Sequence, residues 1–324
     1  GETIAFTMMY VNNILEIIHL IQALDQDQFE LLSSLKDLIF KDIDLQTYFH
    51  SDHQDVQWVS KDALISALQS LYNTHIKHLQ EAFVDDVFQS YFDHNATLLD
   101  TSNTVMLTGQ AMALLNRIAS DAQAVKLANK TKKVLFDAAL GGYKLNSLYD
   151  QEKHGLGRAF YFAYGHKENG AVFSHMAMMY AYGLYNYQLN ELANEAWTSI
   201  LFQSMKEDTQ VYEGIPEYFN DEGKGKYLYL TGSASWLLFI LRKQVFGLNF
   251  KFGQLFLEPK LLSTDFIEGK ASIHTMIFGQ KTTINYHLET PTNHYRIKSI
   301  FANKKALQLP ITTHYPEIDV YLGE

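Results

Sequence analysis

The first proline of this chain is Pro216, and the other four (Pro259, Pro291, Pro310 and Pro316) all follow it. Proline removes a helical hydrogen bond and clashes with the preceding turn, so a long stretch without it can run as continuous helix. Apolar periodicity fills that stretch. Ile14, Ile17, Ile18 and Ile21 mark one helical stripe, and Leu64, Leu68, Leu71 and Leu79 mark another. Further helical patterns run near residues 28–42, 104–118, 121–139, 170–188, 190–206 and 232–246. Gly141-Gly142 and Gly247 are expected as stops, because glycine suits the left-handed position after a helix.

Around residue 250 the pattern changes. Ala271–Phe278 and Lys281–Leu288 are rich in β-branched and aromatic residues and are joined by Gly279-Gln280, which predicts a hairpin. His294–Phe301 reads as another alternating strand. The predicted layout is a helical domain over residues 1–250 and a β-rich segment over residues 251–324. Ordinary helix lengths give about eight or nine helices before the change.

With 324 residues, 47% of them hydrophobic, the chain can bury a large core. Its net charge of −10 argues against nucleic acid or an anionic membrane as the main partner. The absence of cysteine excludes disulfides and thiolate metal sites and fits a reducing, cytoplasmic setting. No basic segment followed by an apolar run opens the sequence, and the apolar runs are interrupted short of membrane length, so a soluble chain is expected. The 21 Phe, 20 Tyr and 3 Trp either fill the space between helices or offer faces to a sugar.

Three stretches could carry chemistry. Tyr164–His175 packs Lys167, Glu168, Asn169 and His175 around glycine at the entrance to an apolar helix, where backbone donors and the positive helix end favour a polar or anionic ligand. By spacing alone it reads more readily as a polar capping loop before a buried helix, with His175 a satisfied core histidine. In Tyr227–Trp236, Thr231, Gly232 and Ser233 open a helix and make either a phosphate seat or an ordinary cap. Gly214–Asn220 offers Glu217 to a sugar or makes a surface turn. The pairs His50/His53 and His75/His78 lack a third metal ligand, and His75 falls on an apolar stripe, so no metal site is expected.

Together these stretches resemble the cellobiose and chitobiose phosphorylases of glycoside hydrolase family ninety-four. Lys167-Glu-Asn-Gly-Ala-Val-Phe-Ser-His175 is similar to that family's Arg-Glu-Asn-Gly-Gly-x-x-x-His segment. Tyr229-Leu-Thr-Gly-Ser-Ala-Ser-Trp236 is similar to its Thr-Gly-Ser-x-x-Trp helix start. Val245-Phe-Gly-Leu, Leu257-Glu-Pro-Lys260, Gly1-Glu2-Thr3 and Thr108-Gly-Gln110-Ala match further family stretches, all in one order along the chain.

The resemblance implies a mainly α fold, part of an (α/α)6 toroid incomplete at its N-terminus, followed by a small antiparallel β-sandwich segment. It implies reversible, inverting phosphorolysis of a β-linked glucoside to an α-sugar 1-phosphate. By that likeness His175, Thr231 and Gly232 would hold phosphate, while Glu168, with Asn169, Lys167 and Glu217, would meet sugar. Inorganic phosphate would be the co-substrate and a β-linked oligosaccharide the partner. No metal, organic cofactor, nucleic acid or membrane contact is implied, and a homodimer is left open. The chain departs from the family in one respect. Trp58, Trp197 and Trp236 are followed by Val, Thr and Leu, so the Trp-Asn-Asp that carries the family's general acid is absent and is expected upstream of Gly1. The isolated chain is therefore expected to be inactive. The competing readings are the C-terminal region of a cyclic β-1,2-glucan synthase and a non-catalytic carbohydrate-binding module.

Overall fold

The computed structural model describes residues 2–41, 43–50, 54–95, 97–99, 104–149, 156, 161–212, 214–228 and 232–324. Among them are nine helices: α1 (Ile4–Ala23), α2 (Ser33–Lys41), α3 (Leu45–Phe49), α4 (Lys61–Glu81), α5 (Leu107–Leu115), α6 (Asp121–Leu135), α7 (Ser174–Asn186), α8 (Asn190–Ser204) and α9 (Gly232–Phe239). The last continues as a π-type turn, Ile240–Val245. Local chemistry sets several boundaries. Ser60 caps α4, and Ser120 and Gln123 form a reciprocal capping box on α6.

Helices α1, α5, α7 and α9 stand in a row, with α4 packed on α1, α6 on α5 and α8 on α7. Gly183 allows α5 and α7 to touch, since a Cβ there would lie 2.7 Å from Cβ of Leu114. The row has all its helix starts at one edge. The Ile4 amide donates to the Ser90 carbonyl at 3.1 Å, and nearby Phe88 pairs with the Gln110 side chain of α5. The Leu107 amide donates to Leu145, whose own amide donates to Ala171, three residues before α7, both at 2.8 Å. His175, at the start of α7, touches Gly232, at the start of α9. We call this edge the front.

After Val245 the chain turns to strands. Gly247, at φ +68°, follows the last helical turn as expected, and the ribbon Leu248–Lys251/Gln254–Leu257 comes next. A five-stranded sheet then forms in the order Lys270–Ile277, Gln280–Leu288, Glu317–Gly323, Arg296–Ala302, Lys305–Leu307. The predicted hairpin is present, but its turn is Phe278-Gly279, both at positive φ (+50° and +75°), as a tight two-residue turn requires. One apolar cluster runs from Ile4 through α5 and α7 to Leu322, so helices and sheet share a core.

Several expectations need correction. Residues 28–32 form a strand paired with Val56–Ser60, and only Ser33–Lys41 of the predicted 28–42 helix is helical. Gly141-Gly142 does not stop α6, which ends at Leu135; the glycines serve the hairpin Phe136–Asp137/Gly142–Tyr143. The C-terminal sheet is not wholly antiparallel, because Gln280–Leu288 pairs in parallel with Glu317–Gly323. The described strands there make one mixed five-stranded sheet and a separate two-stranded ribbon. Helix α1 is long and apolar enough to cross a membrane by length and composition, contrary to the sequence reading. It buries Met8, Val11, Ile14 and Ile18 against its neighbours and exposes Phe6, Ile17 and Leu20.

Candidate functional site

A small three-stranded sheet gathers the front-edge chemistry. Tyr218–Phe219 lies in its centre, antiparallel to Val172–Phe173 on one side and Gly225–Lys226 on the other. In that register Tyr218 stands opposite both Phe173 and Lys226, so residues 174–175, 217 and 227 all leave the sheet at the same end. The Ser174 amide donates to the Glu217 carbonyl at 2.9 Å, and the Glu217 amide donates to the Tyr227 carbonyl at 3.2 Å. Three stretches far apart in sequence are thereby locked to one another by backbone.

The loop before α7 is held just as firmly. The Asn169 side chain donates to the Phe162 carbonyl at 2.9 Å and accepts from Nδ2 of Asn146 at 3.2 Å. Asn146 in turn accepts from the Gly170 amide at 2.7 Å. Gly170 must be glycine, because its φ is +77° and a Cβ would lie 2.3 Å from the Tyr164 ring. The turn so fixed carries Lys167, itself at φ +49°, inward. Its ammonium sits 3.1 Å from the Glu217 carboxylate and 3.6 Å from the centre of the Tyr227 ring, with Tyr218 at 5.9 Å. With side chains only 12% and 20% exposed, the Lys167–Glu217 pair is much less screened than a surface ion pair. Burial, then the neighbouring Tyr227 phenol and to a lesser degree Glu217 and Glu168, push the Tyr218 phenol above its usual pKa, while Lys167 opposes them.

His175 faces the first residue of α9. A Cβ built on Gly232 would lie 2.5 Å from Cε1 of His175, 2.8 Å from Nδ1 and 2.9 Å from Nε2, so the imidazole lies flat against a bare α-carbon. Trp236, one turn further along α9, has its ring 6.4 Å from the imidazole. Partial burial holds the His175 pKa below its ordinary value, so the ring is neutral at pH 7. The first amide groups of a helix have no partner within it, so at the start of α9 a neutral ring donor and backbone donors lie side by side.

Of the residues singled out in the sequence, the structure thus pairs His175 with Gly232 and Lys167 with Glu217, and the Ser174–Glu217 backbone bond joins the pairs. Glu168 is half-buried beside Lys167. Thr231 lies outside the described residues, as does His53. Asn169 is buried, and its side chain holds the loop through the Phe162 carbonyl and the Asn146 amide. Tyr218 and Tyr227 were missed. Their place beside Glu217 and just ahead of the Thr-Gly-Ser stretch was the available signal. Among the described residues no group of three His, Asp or Glu side chains is placed to hold a metal.

The model of the glycosyl hydrolase 94 superfamily catalytic domain matches residues 52–247, a span that includes every residue just described. This chain belongs to the glycosyl hydrolase 94 family.

The family match stops at Gly247, where helices give way to strands. Among solved structures, this family member is similar to the neutral trehalase Nth1 from Saccharomyces cerevisiae. The identity is 18% and the TM-score 0.46, over 73% of this chain and 37% of that one. It is also similar to a GH63 mannosylglycerate hydrolase from Thermus thermophilus, at 14% identity and TM-score 0.35, over 56% of this chain and 44% of that one. The chain therefore spans less than half the length of either. No curated protein sequence matches it.

Proposed function

We propose that this glycosyl hydrolase 94 domain supplies the phosphate seat and part of the sugar subsite of an inverting glycoside phosphorylase. The observation that carries the reading is the His175 ring against Gly232 at the start of α9. A phosphate there would accept hydrogen bonds from the imidazole and the helix amides, with Thr231 adding a hydroxyl. One phosphate oxygen attacks the anomeric carbon, the glycosidic C–O bond breaks on the opposite face, and the leaving oxygen takes a proton from a carboxylic acid. The products are an α-sugar 1-phosphate and a shortened saccharide. Lys167, Glu168 and Glu217 sit beside the seat with the mixed donors and acceptors that sugar hydroxyls need, and the Tyr227 ring adds an apolar face. This chemistry calls for no metal or organic cofactor.

The proton donor is the part we do not assign within this chain, and general acid catalysis is worth roughly 10²–10⁴-fold. The test is sugar 1-phosphate release from cellobiose and longer β-glucans by this chain and by a longer protein carrying a Trp-Asn-Asp segment. We expect turnover from the longer protein alone, with His175→Ala chiefly raising its KM for phosphate. Turnover by the 324-residue chain would move the acid to Glu168 or Glu217. An unchanged phosphate KM in His175→Ala would end the reading.

A further inference from the structure

At the ends of the helices opposite His175, the structure concentrates positive charge in a cavity. Two residues beyond α5, Arg117 takes φ +53°, and two beyond α7, Gln188 takes φ +58°. These turns meet the segment after strand Gln254–Leu257 and the start of strand Arg296–Ala302. Between them lies a cavity of about 520 Å³ lined by Arg117, Gln188, Glu258, Lys260, Tyr295 and Arg296, among others. A second cavity of about 680 Å³ shares Gln188, Pro259, Tyr295 and Arg296 with it.

The charges there are unusual for a chain of net charge −10. Three cations line the first cavity against one carboxylate, Glu258. Among the described residues no carboxylate comes within ion-pair distance of Arg117, Lys260 or Arg296. The Arg117 guanidinium lies 5.8 Å from the centre of the Tyr187 ring. Lys260 is the strongest signal, because it is only 7% exposed. Its ammonium donates to Oε1 of Gln244, which is fixed by donating to Asn186 at 2.9 Å, and Asn186 donates to the Leu115 carbonyl at 3.1 Å. An ammonium has three donors, and among the described residues one of them finds an acceptor. Burial drives the Lys260 pKa down to about 8, with Glu258 opposing and Arg117 adding to the fall. A buried, under-partnered cation costs stability and is retained where something compensates it. The negative end of α5 accounts for Arg117 alone, not for Lys260 and Arg296.

We propose that this cavity binds a small phosphorylated molecule, with its phosphoryl group held between Lys260, Arg117 and Arg296. A phosphomonoester carries a charge of about −1.5 to −2 at pH 7 and three terminal oxygens, one for each cation, whereas a carboxylate offers one charge and two oxygens. The rest of the molecule would lie along Tyr295 and Gln188 toward the second cavity. The proposal does not depend on the phosphorolysis reading.

The test is calorimetric titration of the His175→Ala chain, which removes the front anion seat, with glucose 6-phosphate, inorganic phosphate and glucose. Saturable binding of the phosphate ester is expected, weakened tenfold or more in Arg117→Gln/Arg296→Gln and weakened by salt, with no binding of glucose. Both arginines are exposed, so the double variant should keep its melting temperature. Equal binding of inorganic phosphate would identify free phosphate as the occupant of the same cradle. Ester binding that the double variant leaves unchanged, or no binding of either phosphate compound at millimolar concentration, would overturn the proposal.

Discussion

The side-chain amide of Gln110 closes a two-way pair with the backbone of Phe88, donating to its carbonyl at 2.7 Å and accepting from its amide at 2.9 Å. Gln110 is fully buried in α5, and the pair ties α5 to the segment whose Ser90 carbonyl accepts from the Ile4 amide at the start of α1. Replacing it by alanine leaves two buried backbone groups unpaired and opens a void. Gln110→Ala should cost about 2–5 kcal/mol, read as a lower urea midpoint at unchanged slope. A loss under half a kilocalorie would mean that water replaces the amide.

His175 should titrate below the ordinary histidine value near 6.5, because burial disfavours its charged form. The unfolded chain then takes up the proton first. The stability contributed by the neutral ring is present above that ordinary value and is lost as pH falls toward the lower folded-state pKa. Imidazole NMR shifts should show the low midpoint, and added phosphate should raise it, since an anion stabilises the imidazolium. A midpoint unmoved by saturating phosphate would place the anion elsewhere.

Lys260 makes the opposite end of the pH scale informative. Its folded-state pKa of about 8 lies below the unfolded value of 10.5, so between them the unfolded chain holds the extra proton and stability rises with pH. Buried tyrosines titrate in the same region, so the readout is a difference. Urea midpoints of the native protein should rise relative to those of Lys260→Met from pH 8 to 10.5. Parallel curves would mean that the lysine is hydrated.

Gly170→Ala should damage the site from a position that touches no ligand. The left-handed backbone costs a non-glycine residue roughly 1–2 kcal/mol, and the clash with Tyr164 adds about 1–3. The turn carrying Lys167 must then shift, which breaks the pair with Glu217. Saccharide affinity should fall more than phosphate affinity, by calorimetry with each. Equal losses would indicate general unfolding of the front edge.

The helices were legible because periodicity and the absence of proline are local signals: Ile14, Ile18, Leu64 and Leu68 are all buried as their spacing implies. The strand at Gln28–Leu32 was not, because five residues with ambiguous spacing acquire their partner from Val56–Ser60, more than twenty residues on. Direction was invisible for the same reason. Alternation in Lys281–Leu288 predicts a strand but says nothing of whether its partner, Glu317–Gly323, runs with it or against it. At the site, His175 and Gly232 stood out as motif residues, whereas Asn169 stood out for a polarity that the fold spends on itself. The Tyr227–Lys167 contact depends on the register of two-residue strands, which no single-sequence pattern encodes.

Helix α1 runs 20 residues from the front edge, about 30 Å at 1.5 Å per residue, before the chain departs into the paired strands, α2 and α3 and returns as α4. An elaboration attached at that end can lengthen, shrink or change its surface without moving any group beside His175. Two registers of inheritance follow. Substitutions along the front rim reach the groups gathered there, while the far end of α1 is free ground on which descendants can acquire new attachments and keep the rest of the domain.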